Sequence, residues 1–151
     1  AAMSRVTTLY YLAADIGAWT IGGLTLWLCH RGWTVTMARM TVLSLATLAA
    51  MTTLLLPLLP SGLPLMTGLL IIAFGAMGAF PTYFAFSQDL ALQHQGKVSG
   101  FLGASAHIAL ACVYPAEGWM ISWSQSYEPV LAMIGLVPAA ACTLLWYYWP
   151  R

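Results

Sequence analysis

Leu63 to Gln88 reads LPLMTGLLIIAFGAMGAFPTYFAFSQ, with no charged residue from end to end. A helix of this length rises about 39 Å at 1.5 Å per residue, enough to cross a hydrocarbon layer about 30 Å thick. Four more apolar runs surround it. Read between turn signals, the spans fall at about 6–29, 37–59, 63–88, 98–121 and 129–149. The separators His30-Arg31-Gly32, Pro60-Ser61-Gly62, Gln93 to Lys97 and Ser122 to Glu128 are short and polar or helix-breaking. Connections of this length make consecutive helices antiparallel neighbours.

Of the 151 residues, 61% are hydrophobic and 6% charged, whereas a typical soluble domain has about 25% charged residues. So few charges cannot clothe a surface in water, and no collagen period or heptad seam accounts for the apolar excess. The expected class is an all-α membrane protein of about five transmembrane helices, with the lipid bilayer as its first partner. A net charge of +1 without a basic cluster argues against nucleic acid as a partner. Cys29, Cys112 and Cys142 read as buried thiols, without the spacing of metal ligands. There is no Gly-x-Ser-x-Gly, HExxH or Walker loop, so neither an enzyme nor a cofactor or metal site is expected.

Pro57, Pro81, Pro115 and Pro138 fall in or near the ends of the apolar runs, where kinked spans are expected. The glycines Gly22, Gly23, Gly68, Gly75, Gly78, Gly100 and Gly103 share those runs; they suit close helix approach or reflect the general abundance of glycine in membrane helices. Alternating the loops between sides puts Arg31, Arg39, Lys97 and Arg151 on one face and Arg5 on the other. The first face is expected to be cytoplasmic. Glu117 and Glu128 then lie outside, and Trp119, Trp123, Trp146, Tyr147, Tyr148 and Trp149 mark interfacial belts. An odd number of spans places the N-terminus outside, as expected for the tail of a larger protein.

Asp15 lies near the middle of the first span, where a carboxylate costs at least about 2.5 kcal/mol on insertion scales. Tyr11, Asp15 and Trp19 share one helix face by their i, i+4, i+8 spacing. Two roles suit Asp15: a cavity wall that binds substrate hydroxyls or exchanges a proton, or a hydrogen bond pinning a neighbouring helix. His107 is mid-span in the fourth run, in register with Gly100, Gly103 and Tyr114, on a face expected to point into protein. It suits proton coupling or anion binding, or a structural hydrogen bond to backbone.

Asp15-Ile16-Gly17, Gly22-Gly23, Arg31-Gly32-Trp33 and Arg39 together resemble the eighth helix and following cytoplasmic loop of major facilitator superfamily transporters. The resemblance is closest to the anion:cation symporter family of hexuronate, galactonate and phthalate permeases and vesicular glutamate transporters. A second block, Phe80-Pro81-Thr82-Tyr83 through Ser87-Gln88-Asp89-Leu90 to His94-Gln95-Gly96-Lys97-Val98-Ser99-Gly100, resembles the tenth helix and the start of the eleventh. Where the superfamily loop usually carries an Asp, this chain has Leu26-Trp27.

The resemblance implies helices eight to twelve of a twelve-helix carrier, a partial C-terminal half whose partners include a missing N-terminal half and seventh helix. It also implies that Tyr83 and Ser87 line a central cavity, and that Gly22, Gly23, Arg31, Gly32 and Arg39 form a cytoplasmic loop motif. Asp89 and Lys97 read as solvated loop charges, with a gate as the other option. The expected function is secondary active transport of a small organic anion such as a sugar acid, coupled to protons or sodium, in the inner (plasma) membrane. The alternative is a small structural or assembly subunit of a membrane complex.

The orientation can be checked in intact cells with single cysteines in a background lacking Cys29, Cys112 and Cys142. A cysteine replacing Ser61 should react with an impermeant maleimide, whereas one replacing Gln95 should not; the opposite pattern would invert the topology.

Overall fold

The computed structural model describes residues 2–89 and 93–149; Leu90 of the second block and Arg151 of the basic face lie outside the described residues. Five helices follow one another: α1 (Ala2–His30), α2 (Val35–Ala50), α3 (Leu63–Asp89), α4 (Gln95–Ser124) and α5 (Glu128–Tyr148). A 3₁₀ segment, Met51–Leu58, prolongs α2. Each helix, α2 taken with its 3₁₀ extension, is long and apolar enough to cross a membrane. The chain is an all-α, multi-pass membrane protein.

The turns are built from the residues that punctuate the sequence. Gly32 adopts a φ of +89°, and the amides of Gly32 and Trp33 donate to the carbonyls of Cys29 and Leu28. This pattern closes α1 with a glycine in the left-handed conformation. Thr34 then caps α2, its hydroxyl accepting from the amide of Met37 at 3.3 Å. Gln95 to Lys97, expected in a loop, instead form the first turn of α4.

The prolines behave differently from one another. α3, α4 and α5 continue through Pro81, Pro115 and Pro138 as single helices, while Pro57 lies where α-helix has given way to 3₁₀. Just before it, the hydroxyls of Thr52 and Thr53 donate to the carbonyls of Ala49 and Ala50, each at 2.7 Å. Those bonds, three residues back, compete with regular α pairing.

α3 lies between α1 and α2, and glycine makes both approaches possible. A side chain at Gly17 of α1 would collide with the backbone of Phe74 in α3. One at Gly78 would stand 2.6 Å from Ile21. On the α2 side, a Cβ at Gly75 would lie 2.6 Å from the carbonyl oxygen of Ala46 and 2.7 Å from the amide of Ala50. The buried core follows these contacts, with Ile21 and Leu28 of α1 meeting Ala38, Val42 and Ala46 of α2.

α5 docks on the other side of α2 at two levels. Gly135 meets Leu54 of the 3₁₀ segment. Nearer the other end, the Trp146 indole donates to Ser44 Oγ at 2.8 Å, and Cys142 Sγ lies 3.6 Å from the same oxygen. α4 contributes no buried residue. Consequently Cys112, expected to be buried, is exposed, whereas Cys142 is buried and Cys29 intermediate.

Glycine-to-alanine substitutions separate packed from open faces. Gly17→Ala and Gly75→Ala should each destabilise the purified protein by about 1–3 kcal/mol, seen as a lower thermal transition in detergent. Gly103→Ala, whose Cβ would meet nothing within 4 Å, should leave the transition unchanged.

Candidate functional site

α1 has two faces. Ala14, Gly17, Ile21 and Leu28 are buried; Tyr11, Asp15 and Trp19 point away from that packing, with Trp19 84% exposed and Tyr11 65% exposed. The i, i+4, i+8 register therefore holds, and Asp15 is exposed on a face that no other helix of this chain covers. Because the residue lies within a membrane span, an uncovered carboxylate there is costly in hydrocarbon.

His107 is another ionisable group so placed. It is exposed on α4, and its Nδ1 lies 2.8 Å from the carbonyl oxygen of Gly103 one turn back. A Cβ on Gly100 or Gly103 would find open space. The glycine-lined face, expected to meet protein, thus meets none within this chain.

Tyr83 and Ser87 do not join Asp15. Tyr83 lines a cavity of about 300 Å³ between α2, α3 and α5 together with Phe86, Pro138 and Leu145. Ser87 is buried and donates to the carbonyl of Phe84 at 2.8 Å. Tyr83 sits on the α5 side of the bundle, whereas Asp15 faces outward from α1. Of the two residues expected to line a central cavity, Tyr83 faces this groove and Ser87 is packed inside the bundle.

The loop motif is gathered at the other end of α1. The Arg31 guanidinium carbon stands 4.6 Å from the centre of the Trp27 ring, within cation–π range. Arg39, on the first turns of α2, forms an ion pair and hydrogen bond with Asp89 at the end of α3. The Arg39 side chain is 20% exposed and that of Asp89 48%. Asp89, read from sequence as a solvated loop charge, is thus a partner of α2. Arg39 also lies 5.9 Å from the centre of the Phe86 ring, which packs edge-on against Trp149 with centres 4.6 Å apart. One end of the bundle is tied together by α2, α3 and α5 through this set.

Beside the ion pair is a cavity of about 190 Å³ lined by Gly22, Thr25, Leu26, Arg39, Pro81 and Thr82. Gly22 and Gly23 are not forced by packing, since a Cβ at either would meet nothing within 4 Å. Leu26 lines this cavity together with Arg39, and the negative charge paired with Arg39 comes from Asp89 of α3. Sequence reasoning missed this pairing, although both residues lay at ends of adjacent spans on one face. Among the described residues, no group of three His, Cys, Asp or Glu side chains converges on a metal position.

No family model, curated protein or solved structure matches the chain.

A double-mutant cycle measures the inter-helix ion pair. Arg39→Ala and Asp89→Ala should each lower stability, and together lower it by less than the sum, with a coupling of about 1 kcal/mol since Asp89 is half exposed. Strictly additive effects would show that the pair contributes nothing.

Proposed function

We propose that the chain is one side of a secondary transporter that carries a small organic anion, such as a sugar acid, across the inner (plasma) membrane by alternating access. The observation that carries this reading is the uncovered polar face of α1: Asp15, with Tyr11 and Trp19, lies within a span and away from the glycine-packed core. A carboxylate in a span belongs against protein or a wet cavity. A second helical bundle opposing α1 and α4 would supply both, and would also cover His107.

In this arrangement Asp15 binds substrate hydroxyls or exchanges the coupling proton, and Tyr11 and Trp19 form the adjoining wall. Proton coupling suits Asp15 and His107, since each can change charge; sodium is the other coupling ion the sequence resemblance allows. The Arg39–Asp89 pair ties α2 to α3 at one end of the bundle, so that those helices move as one body when bundles rock. The family reading rests on the motifs quoted above and on the agreement of their order with five spans.

The test pairs this chain with the N-terminal half of a hexuronate-type permease in vesicles and follows uptake of a labelled sugar acid. The pair should show saturable, gradient-driven uptake, and the chain by itself none. Asp15→Asn should abolish uptake or shift its pH profile while membrane levels stay near normal, because the amide keeps hydrogen bonding but cannot ionise. Unaltered uptake by the variant would leave Asp15 a structural role. No uptake by the pair, with both halves stably inserted, would favour a structural or assembly subunit.

A further inference from the structure

At the Arg39 end of α1, the uncovered face of that helix reaches a fixed cation. Gly22 and Leu26 lie seven and eleven residues beyond Asp15, close to two and three full turns, so they continue the stripe of Tyr11, Asp15 and Trp19. Both line the cavity of about 190 Å³ whose wall also includes Arg39, Thr25, Pro81 and Thr82. Gly22 stands about 10 Å along the helix from Asp15. A Cβ on Gly22 would meet no atom within 4 Å, so no neighbouring helix requires a glycine there. What the missing side chain leaves free is this space.

The polar groups of the wall have bonding capacity to spare. Thr82 is 3% exposed, yet its hydroxyl makes no hydrogen bond among the described residues. No fully enclosed polar side-chain atom among those residues lacks a partner, so this oxygen opens onto the cavity that its residue lines. Arg39, whose side chain is 20% exposed, gives Asp89 a contact from Nη1, out of the five N–H donors of a guanidinium. The Thr25 hydroxyl already donates to the carbonyl of Ile21 at 3.0 Å, so toward a ligand it can only accept. Guanidinium and free hydroxyl suit a carboxylate, and the acceptor suits a hydroxyl beside it. Because Asp89 already balances Arg39, a monoanion suits the site better than a doubly charged phosphate. The volume equals that of about six waters at about 30 Å³ each, which limits the occupant to a small molecule or one end of a larger one.

We infer that this cavity binds the carboxylate end of a small hydroxy acid, with Arg39 and Thr82 donating to the carboxylate and Thr25 accepting from the neighbouring hydroxyl. The ligand competes with Asp89 for the guanidinium. Gly22 keeps the space open. Under the carrier reading, on which its place in transport rests, the cavity is a station for the organic anion about two helical turns from Asp15; the binding itself does not depend on that reading.

The experiment titrates the whole chain, purified in detergent, with glycolate at constant ionic strength and follows the thermal transition. Glycolamide, of the same shape with a neutral amide, is the control. The transition should rise saturably with glycolate and not with glycolamide. Gly22→Val, whose side chain enters the cavity without striking a helix, should keep the unliganded transition and lose the rise. Thr82→Val should weaken apparent binding by about tenfold, the effect of one lost hydrogen bond, and Thr82→Ser should restore it. Asp89→Asn should strengthen binding severalfold by removing the competing carboxylate, a gain that a merely structural ion pair would not give. An equal rise with glycolamide, or with chloride, would overturn the proposal. So would a glycolate response that survives both Gly22→Val and Thr82→Val, or no response at all. Sugar-acid uptake by the paired halves without glycolate binding would sink this proposal alone, whereas glycolate binding without uptake would support it and sink only the carrier reading.

Discussion

The backbone-to-backbone approach of α3 to α1 and α2 is the contact on which the rest of the bundle depends. In hydrocarbon there is no aqueous driving force to press helices together, so close packing of small residues must do it. Gly17 against Phe74, and Gly75 against Ala46 and Ala50, bring main chains nearer than any side chain would permit. Once α3 is seated there, its far end carries Asp89 to Arg39 and Phe86 to Trp149. These polar and aromatic contacts are consequences of the glycine packing rather than its cause, since the ion pair is half open to its surroundings.

The same packing sorts the ionisable groups. A helix that gives one face to a close contact must present its other side outward, and the register of α1 places Asp15 there. α4 illustrates the opposite limit: lacking a tight glycine contact, it leaves His107 and its glycines uncovered. Uncovered polar groups and tight apolar seams therefore occur on different helices, or on different faces of one helix. The proposed carrier uses that division, with one surface for cohesion and another for solute.

The spans were legible in the sequence because length and lack of charge are sufficient criteria for a membrane helix. The shared face of Tyr11, Asp15 and Trp19 was legible too, being a matter of helical period. What neighbours each face was not. Gly75 and Gly103 look alike in sequence, yet one touches backbone and the other nothing. Tyr83 and Ser87 share a spacing, but one lines a groove while the other bonds its own helix. Arg39–Asp89 and Ser44–Trp146 join residues far apart in the chain, and local periodicity carries no information about such pairings. The 3₁₀ segment escaped notice because Pro57 resembled three other prolines that leave their helices intact.

The pairing of α1 with α3, across an intervening helix, also sets a timetable for biogenesis. At about 5–20 residues per second, Phe74 leaves the ribosome several seconds after Gly17. Throughout that interval the face of α1 that will receive α3 lacks that partner. The glycine contacts that join α3 to both earlier helices can form only after the third span has been made. Any chaperone or insertase that shields small-residue faces would act in that window, before the third span enters the bilayer.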